Sequence, residues 1–94
     1  AVYLIADKRN GALYVGSAYG EGGLLSRWAS YVQSKHGGNK GMKEVLVSSP
    51  ERYQDFQFSI LQVFSKTATS EEVIQTEMLY KKKLLTTMYG MNRN

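Results

Sequence analysis

The stretch that decides the fold is VYLIADKRNGALYVG, residues 2–16. Val2 to Ala6 and Ala12 to Gly16 are short runs rich in Val, Ile, Leu and Tyr, the residues that suit a pleated, half-buried surface. Between them lies Asp7-Lys8-Arg9-Asn10-Gly11. Asn-Gly between two such runs signals a tight hairpin, because both residues tolerate positive φ. Two strands joined this way open the chain. If the connecting loop holds an even number of residues, strand alternation puts Tyr3 and Tyr14 on one face of the sheet, and an odd number puts them on opposite faces.

Working outward, the glycines Gly20, Gly22 and Gly23 make a loop, and from Leu24 the apolar positions Leu24, Leu25, Trp28, Tyr31 and Val32 recur at helical spacing. That helix is expected to end near His36-Gly37-Gly38, where glycine can take the left-handed cap. Asn39 can cap a second, shorter helix toward Val47, stopped by Ser48-Ser49-Pro50. Asp55 to Phe64 reads as a third strand. Thr69-x-x-Glu72 fits a capping box, and Val73, Ile74, Glu77, Met78, Lys81, Leu84 and Leu85 then mark a long helix that Gly90 breaks. The order ββααβα predicts a small α+β domain, a three-stranded antiparallel sheet flanked by helices, with residues 1–94 as one unit.

Composition removes several classes. With 94 residues there is room for one core and little else. At 43% hydrophobic residues the chain is too apolar for disorder. There are no cysteines and a single histidine, His36, so a thiolate or zinc site cannot be built, and any metal would be a hard cation held by oxygen. Apolar runs are far too short for a membrane span, and no signal peptide opens the chain, so an intracellular (cytoplasmic, nucleoid or nuclear) setting is the expectation. The net charge is +4, and its distribution matters more than its size. Between Gly22 and Met42 no acidic residue occurs, while Arg27, Lys35 and Lys40 fall inside that window and Lys43 lies just beyond it. Such a window can face phosphates. Its plain alternative is a solvated surface.

Four features could carry chemistry. Tyr3 and Tyr14 put two phenols on the hairpin, although tyrosines in strands commonly just pack. Glu77 interrupts the apolar stripe of its helix, and an inward carboxylate is costly unless paired, protonated or metal-bound. Lys81, four residues on, offers the simpler reading of a surface ion pair contributing roughly 0.3–0.5 kcal/mol. Arg27 presents a planar cationic fork suited to phosphate oxygens, or else lays its stem along Trp28. Asn92, in Tyr89-Gly90-Met91-Asn92, can cap, turn or bind a ligand. Other candidates fail sooner: Gly20-Glu21-Gly22-Gly23 lacks the spacing and lysine of a P-loop, and Lys81-Lys82-Lys83 runs round a helix as a solvated face would.

Taken in order, these positions resemble the GIY-YIG nuclease family over essentially the whole chain. Ala1-Val2-Tyr3 stands where the family has Gly-Ile-Tyr, and Tyr14-Val15-Gly16 where it has Tyr-Ile-Gly. Arg27, Glu77 and Asn92 follow at the family's spacing. The resemblance implies a metal-dependent endonuclease that hydrolyses phosphodiester bonds in DNA through one divalent cation, magnesium or manganese, and leaves a 5′-phosphate and a 3′-hydroxyl. It implies that Glu77 is the acidic metal ligand, that Arg27 stabilises the scissile phosphate, that Tyr3 or Tyr14 assists the attacking water, and that Asn92 closes the site. A tyrosine at its ordinary pKa near ~10 is a poor base, so that role depends on nearby positive charge. Ser17 follows Gly16 where many members carry lysine, so an extra phosphate contact is either absent or falls to Ser17 itself or to Lys35, Lys40 or Lys43. Tyr31, one turn after Arg27, stands where some members have histidine and either shares in proton transfer or packs. So small a domain implies weak, unselective binding, and a DNA-targeting domain or partner protein elsewhere. A non-catalytic nucleic-acid-binding module on the same scaffold is the alternative, and a protein-interaction domain a third.

Overall fold

A computed structural model describes residues 1–19, 23–35, 40–65 and 67–92, with backbone alone for residues 24, 40, 41, 45 and 48. Its elements are β1 (Val2–Asp7), β2 (Leu13–Ser17), α1 (Gly23–Ser34), α2 (Lys40–Ser48), a 3₁₀ turn (Pro50–Asp55), β3 (Phe56–Gln62), α3 (Ser70–Leu84) and α4 (Thr86–Tyr89). The three strands form one antiparallel sheet in the order β2-β1-β3, so the predicted α+β architecture is the one observed. No helix among the described residues is long and apolar enough to cross a membrane.

The hairpin loop is Lys8–Gly11, an even four residues between the paired Asp7 and Ala12. Gly11 takes φ +78° and donates its N–H to the Asp7 carbonyl, while the Asn10 side chain accepts from the Ala12 N–H. The even loop fixes the parity. Tyr3 pairs with Gly16 and Ile5 with Tyr14, so both tyrosines lie on one face. That face, with Phe56 and Phe58 of β3, packs against Trp28 and Tyr31 of α1 and Met42 of α2. Val2, Leu4, Val15 and Leu61 point the other way, against Val73 and Tyr80 of α3. The sheet is thus covered on both faces, and its two cores follow from the two-residue period of the strands.

Four expectations shift at the edges. α1 ends at Ser34 with Lys35 in the left-handed conformation (φ 70°), ahead of the glycines expected to stop it. Those glycines, the expected Asn39 cap and Gly20 and Gly22 lie outside the described residues. Leu25 and Val32 are exposed and not part of the core-facing stripe, which α1 builds from Trp28 and Tyr31. Before β3 the chain makes a 3₁₀ turn, fixed by a buried ion pair from Arg52 to Asp7 and by Arg52 and Arg9, each 3.3 Å from Asp55. Finally, the long helix divides. Thr69 caps α3, accepting from the Glu72 N–H at 3.1 Å, as the capping-box pattern predicts. Leu85 then adopts φ 56°, ψ 34°, and α4 sets off in a new direction five residues before Gly90.

Candidate active site

β1 and β2 set the two signature tyrosines side by side, with ring centroids 6.4 Å apart. Gly16 lies across from Tyr3, and the approach is close enough to require glycine: a Cβ there would stand 2.5 Å from the Tyr3 hydroxyl oxygen. Tyr3 is fully buried. Its hydroxyl lies 3.3 Å from that of Tyr31 and accepts a hydrogen bond from Arg27 Nε at 3.1 Å. α1 supplies both partners because Arg27 and Tyr31 are one turn apart on one side of the helix, the guanidinium 5.8 Å from the Tyr31 ring centroid. Trp28 meets Tyr3 edge-on at 6.5 Å and completes the cage.

Burial pushes the Tyr3 hydroxyl above the ordinary tyrosine value, against hydrogen bonds from Tyr31 and Arg27 that pull it down. Burial pushes Tyr31 up as well, reinforced by the neighbouring Tyr14 and Tyr3 phenols. The bond to Tyr3 raises Arg27 further above an already high value. At neutral pH this corner therefore holds two neutral phenols and one permanent cation. Tyr3 orients the guanidinium through Nε, and among the described residues its forked end makes no hydrogen bond.

Glu77 arrives from the opposite side of the sheet. α3 runs along β2, and the Ser17 hydroxyl donates to Glu77 Oε1 while Lys81 Nζ lies 2.8 Å from Oε2. Both readings of the sequence meet here: the Glu77–Lys81 pair exists, and Glu77 also walls a cleft of about 500 Å³ with Tyr14, Ser17, Arg27, Ser30 and Lys81. The walls are mostly polar. Lys81 was expected on a solvated face with Lys82 and Lys83, but its side chain is only 13% exposed and turns into the cleft. Ser26 and Ser30, on either side of Arg27 along α1, and Tyr19 also line it. The signals for these were faint: small hydroxyls one residue before and three after Arg27, and a lysine four after Glu77.

The remaining predicted residues lie elsewhere. Asn92 is buried and spends both ends of its amide on Val15, accepting from its N–H at 2.8 Å and donating to its carbonyl at 3.0 Å. It extends the β2 ladder as a missing strand would, and does not wall the cleft. Lys35 donates to the Val32 carbonyl and sits 4.6 Å from the Tyr53 ring centroid, in a separate hollow with Phe56 and Phe58. Lys43 is exposed on α2 and does not wall the cleft, and the Lys40 side chain lies outside the described residues.

Among the described residues no three histidine, cysteine or acidic side chains come together. Among the described residues the cleft's donor set is one carboxylate with hydroxyls around it, and that carboxylate already holds a cationic group. This set fits a hard, oxygen-seeking divalent cation that keeps most of its water, which Glu77 could hold, and does not fit a closed all-protein metal cage.

Among the described residues, Tyr14 of the hairpin, Arg27 of α1 and Glu77 of α3 wall one cleft, with the buried Tyr3 behind Arg27. The model of the GIY-YIG catalytic domain matches residues 1–92, and the chain belongs to that family of nuclease domains. No curated protein matches the sequence. Among solved structures the chain is similar to the catalytic domain of homing endonuclease I-TevI, at 21% identity and a TM-score of 0.77, covering 98% of this chain and 95% of that one. It is likewise similar to a glutamate-to-alanine mutant of the catalytic domain of intron endonuclease I-TevI, at 21% identity and a TM-score of 0.78, covering 100% and 92%. At this identity the likeness is one of fold.

Proposed function

We propose that this domain hydrolyses phosphodiester bonds in DNA, one strand at a time, with the help of a single divalent cation held by Glu77. The observation that carries the reading is that Arg27, Tyr14 and Glu77, contributed by three elements, wall the same polar cleft. Attack on a phosphodiester builds negative charge on the phosphate oxygens and on the departing oxygen. Arg27, held at Nε by Tyr3, aims its two terminal nitrogens at that charge without having to reorganise. When bound, magnesium or manganese supplies Lewis-acid stabilisation of the same charge.

The two signature tyrosines take different parts in this reading. Tyr3 is buried and neutral, and its task is to position Arg27. Tyr14 is the one that lines the cleft, so it is the one placed to orient the attacking water. Tyr31 stays protonated and fixes the Tyr3 hydroxyl. Ser17 holds the Glu77 carboxylate in a fixed orientation, and Ser26 and Ser30 offer hydroxyls to the phosphates that flank the scissile one. Asn92 acts at a distance, by anchoring the strand that carries Tyr14 and Ser17. The products are a 5′-phosphate and a 3′-hydroxyl. The catalytic domain named in the solved structures belongs to a homing, or intron, endonuclease, and this supports DNA as the substrate. A few cationic contacts give little sequence preference, so targeting falls to another domain or partner protein.

Nicking of supercoiled plasmid at low salt, compared in magnesium, manganese and EDTA, tests the reading. Nicking that needs the metal and is lost in Glu77→Gln with the fold intact is the expected result. Binding of DNA without cleavage under any metal is the signature of a non-catalytic module and overturns it.

A further inference from the structure

Lysines on a helix surface ordinarily reach for water. Lys82 and Lys83 do so, whereas Lys81 is 13% exposed and lays its ammonium 2.8 Å from Glu77 Oε2, with the Ser17 hydroxyl on the other oxygen. The carboxylate that walls the cleft is therefore complete before any metal arrives. It is neutralised by a cation from its own helix, one turn away. We infer that Lys81 is a built-in competitor for the metal: its ammonium holds Glu77 in the resting domain, and on displacement joins Arg27 in the cleft as a second cation for the substrate phosphate. The inference rests on Glu77 being the metal ligand.

A divalent cation taking up Glu77 meets an ammonium already within ion-pairing distance of the same oxygen, and like charges at that range repel. Lys81 must leave Oε2 or weaken the metal. Its flexible four-carbon stem lets the ammonium swing without moving the helix. Inside the cleft, facing Arg27, a freed ammonium finds a favourable place only where a phosphate supplies negative charge. Metal and nucleic acid are then linked: each one favours the arrangement that the other needs, and linkage makes the effect reciprocal. A domain built this way holds metal weakly until a phosphate backbone is in place.

The test is manganese binding, followed by calorimetry and by the loss of the free-ion electron-resonance signal, in the wild type and in Lys81→Met, Lys81→Gln, Lys81→Arg, Lys82→Met and Glu77→Gln. Each protein is titrated alone and with a saturating product duplex ending in a 5′-phosphate. Removing the ammonium in Lys81→Met or Lys81→Gln is expected to tighten manganese binding about fivefold, the factor that the strong end of partly exposed ion pairs supplies. Lys81→Arg, which keeps the charge, and Lys82→Met, which removes a neighbouring exposed one, stay near the wild-type affinity. The duplex tightens manganese binding in the wild type and does so less in the two neutral variants. Equal affinities in wild type and both neutral variants, with binding still lost in Glu77→Gln, overturn the competitor role and leave Glu77 as the ligand. So does a tightening that Lys81→Arg or Lys82→Met shares. Undiminished binding in Glu77→Gln overturns the ligand assignment itself.

Discussion

Gly16→Ala is the most informative single change, because it adds one methyl group at the point where the hairpin and α1 meet. A Cβ at that position lies 2.5 Å from the Tyr3 hydroxyl oxygen, 2.6 Å from the carbon that bears it, and 2.9 Å from the Tyr14 ring. Ordinary contact begins near 3.4 Å, so the phenol must retreat by roughly 0.9 Å. It has nowhere to go: the ring is rigid, fully buried, and bounded by Tyr14, Trp28 and Tyr31 with centroids 6.1–6.5 Å away. Overpacking of this kind costs about 1–3 kcal/mol, offset by roughly 0.5 kcal/mol because alanine loses less backbone freedom than glycine in a strand. For a domain of this size that is a fall in Tm of order 5–15 °C. The larger effect is on rate. Displacing the Tyr3 hydroxyl carries Arg27 Nε with it, and a shift near 1 Å in a charge-stabilising group costs on the order of 100-fold. Plasmid nicking should be measured well below both melting temperatures, with Gly11→Ala as a control at a positive-φ glycine that has open space around it. The control is expected to lose about 1 kcal/mol of stability and keep its rate. A Gly16→Ala domain with normal Tm refutes the steric argument. One that is destabilised but nicks at the wild-type rate refutes the role of Tyr3 in holding Arg27.

Three further outcomes follow from the geometry. Asn92→Ala strands the Val15 N–H and carbonyl, two buried groups, and is expected to cost about 2–4 kcal/mol, read as a fall in urea midpoint and as faster amide exchange confined first to β2; unaltered stability with lost nicking points instead to direct contact with substrate. Tyr31 and Tyr3 both have folded values above the ordinary 10.0, so the fold favours their neutral forms; the stability they contribute is complete below pH 10 and is lost as pH rises above it, and a urea-midpoint series from pH 8 to 11 is expected to fall less steeply in Tyr31→Phe. Equal slopes in the two proteins contradict the assignment. Leu85→Gly relieves a left-handed non-glycine residue that is 48% exposed, and is expected to raise Tm by a few degrees, about 0.5–1 kcal/mol, without changing the nicking rate; a lower Tm means that its side chain contributes more than the strain costs.

What could be read in the sequence was whatever depends on near neighbours. The Asn10-Gly11 turn marks the hairpin, while the even loop that places Tyr3 beside Tyr14 is fixed only in the folded chain. Thr69 and Glu72 fix the start of α3, and the apolar run through Phe58 marks β3 to within two residues at either end. The 3₁₀ turn left no such mark, because it is held by Arg52 reaching Asp7 across 45 residues. Helix ends were placed by glycine, yet Lys35 and Leu85 take the left-handed conformation instead, where tertiary packing overrides a modest local preference. The apolar pattern of α3 also promised more burial than occurs: Val73 is buried, while Ile74, Met78, Leu84 and Leu85 face outward. Pattern alone cannot tell which apolar positions a three-stranded sheet is wide enough to cover.

The distinction between Tyr3 and Tyr14 lies beyond sequence for the same reason. Both are strand tyrosines on one face, one closing Ala1-Val2-Tyr3 and the other opening Tyr14-Val15-Gly16, and only the third dimension tells them apart. β1 is the central strand and is flanked on both edges, so Tyr3 is enclosed by α1; β2 is an edge strand, so Tyr14 opens onto the cleft. Strand order, which a hairpin does not specify, thus gives two identical side chains different surroundings. It also explains why Glu77 can reach the same cleft from the other face of the sheet. An edge strand is the one place where a helix above and a helix below can present side chains to a common space, and Ser17, at the end of β2, bridges the two sides through its bond to Glu77. Asn92 makes that edge dependable, supplying β2 with the partners that a fourth strand would have provided and keeping the site's open side open.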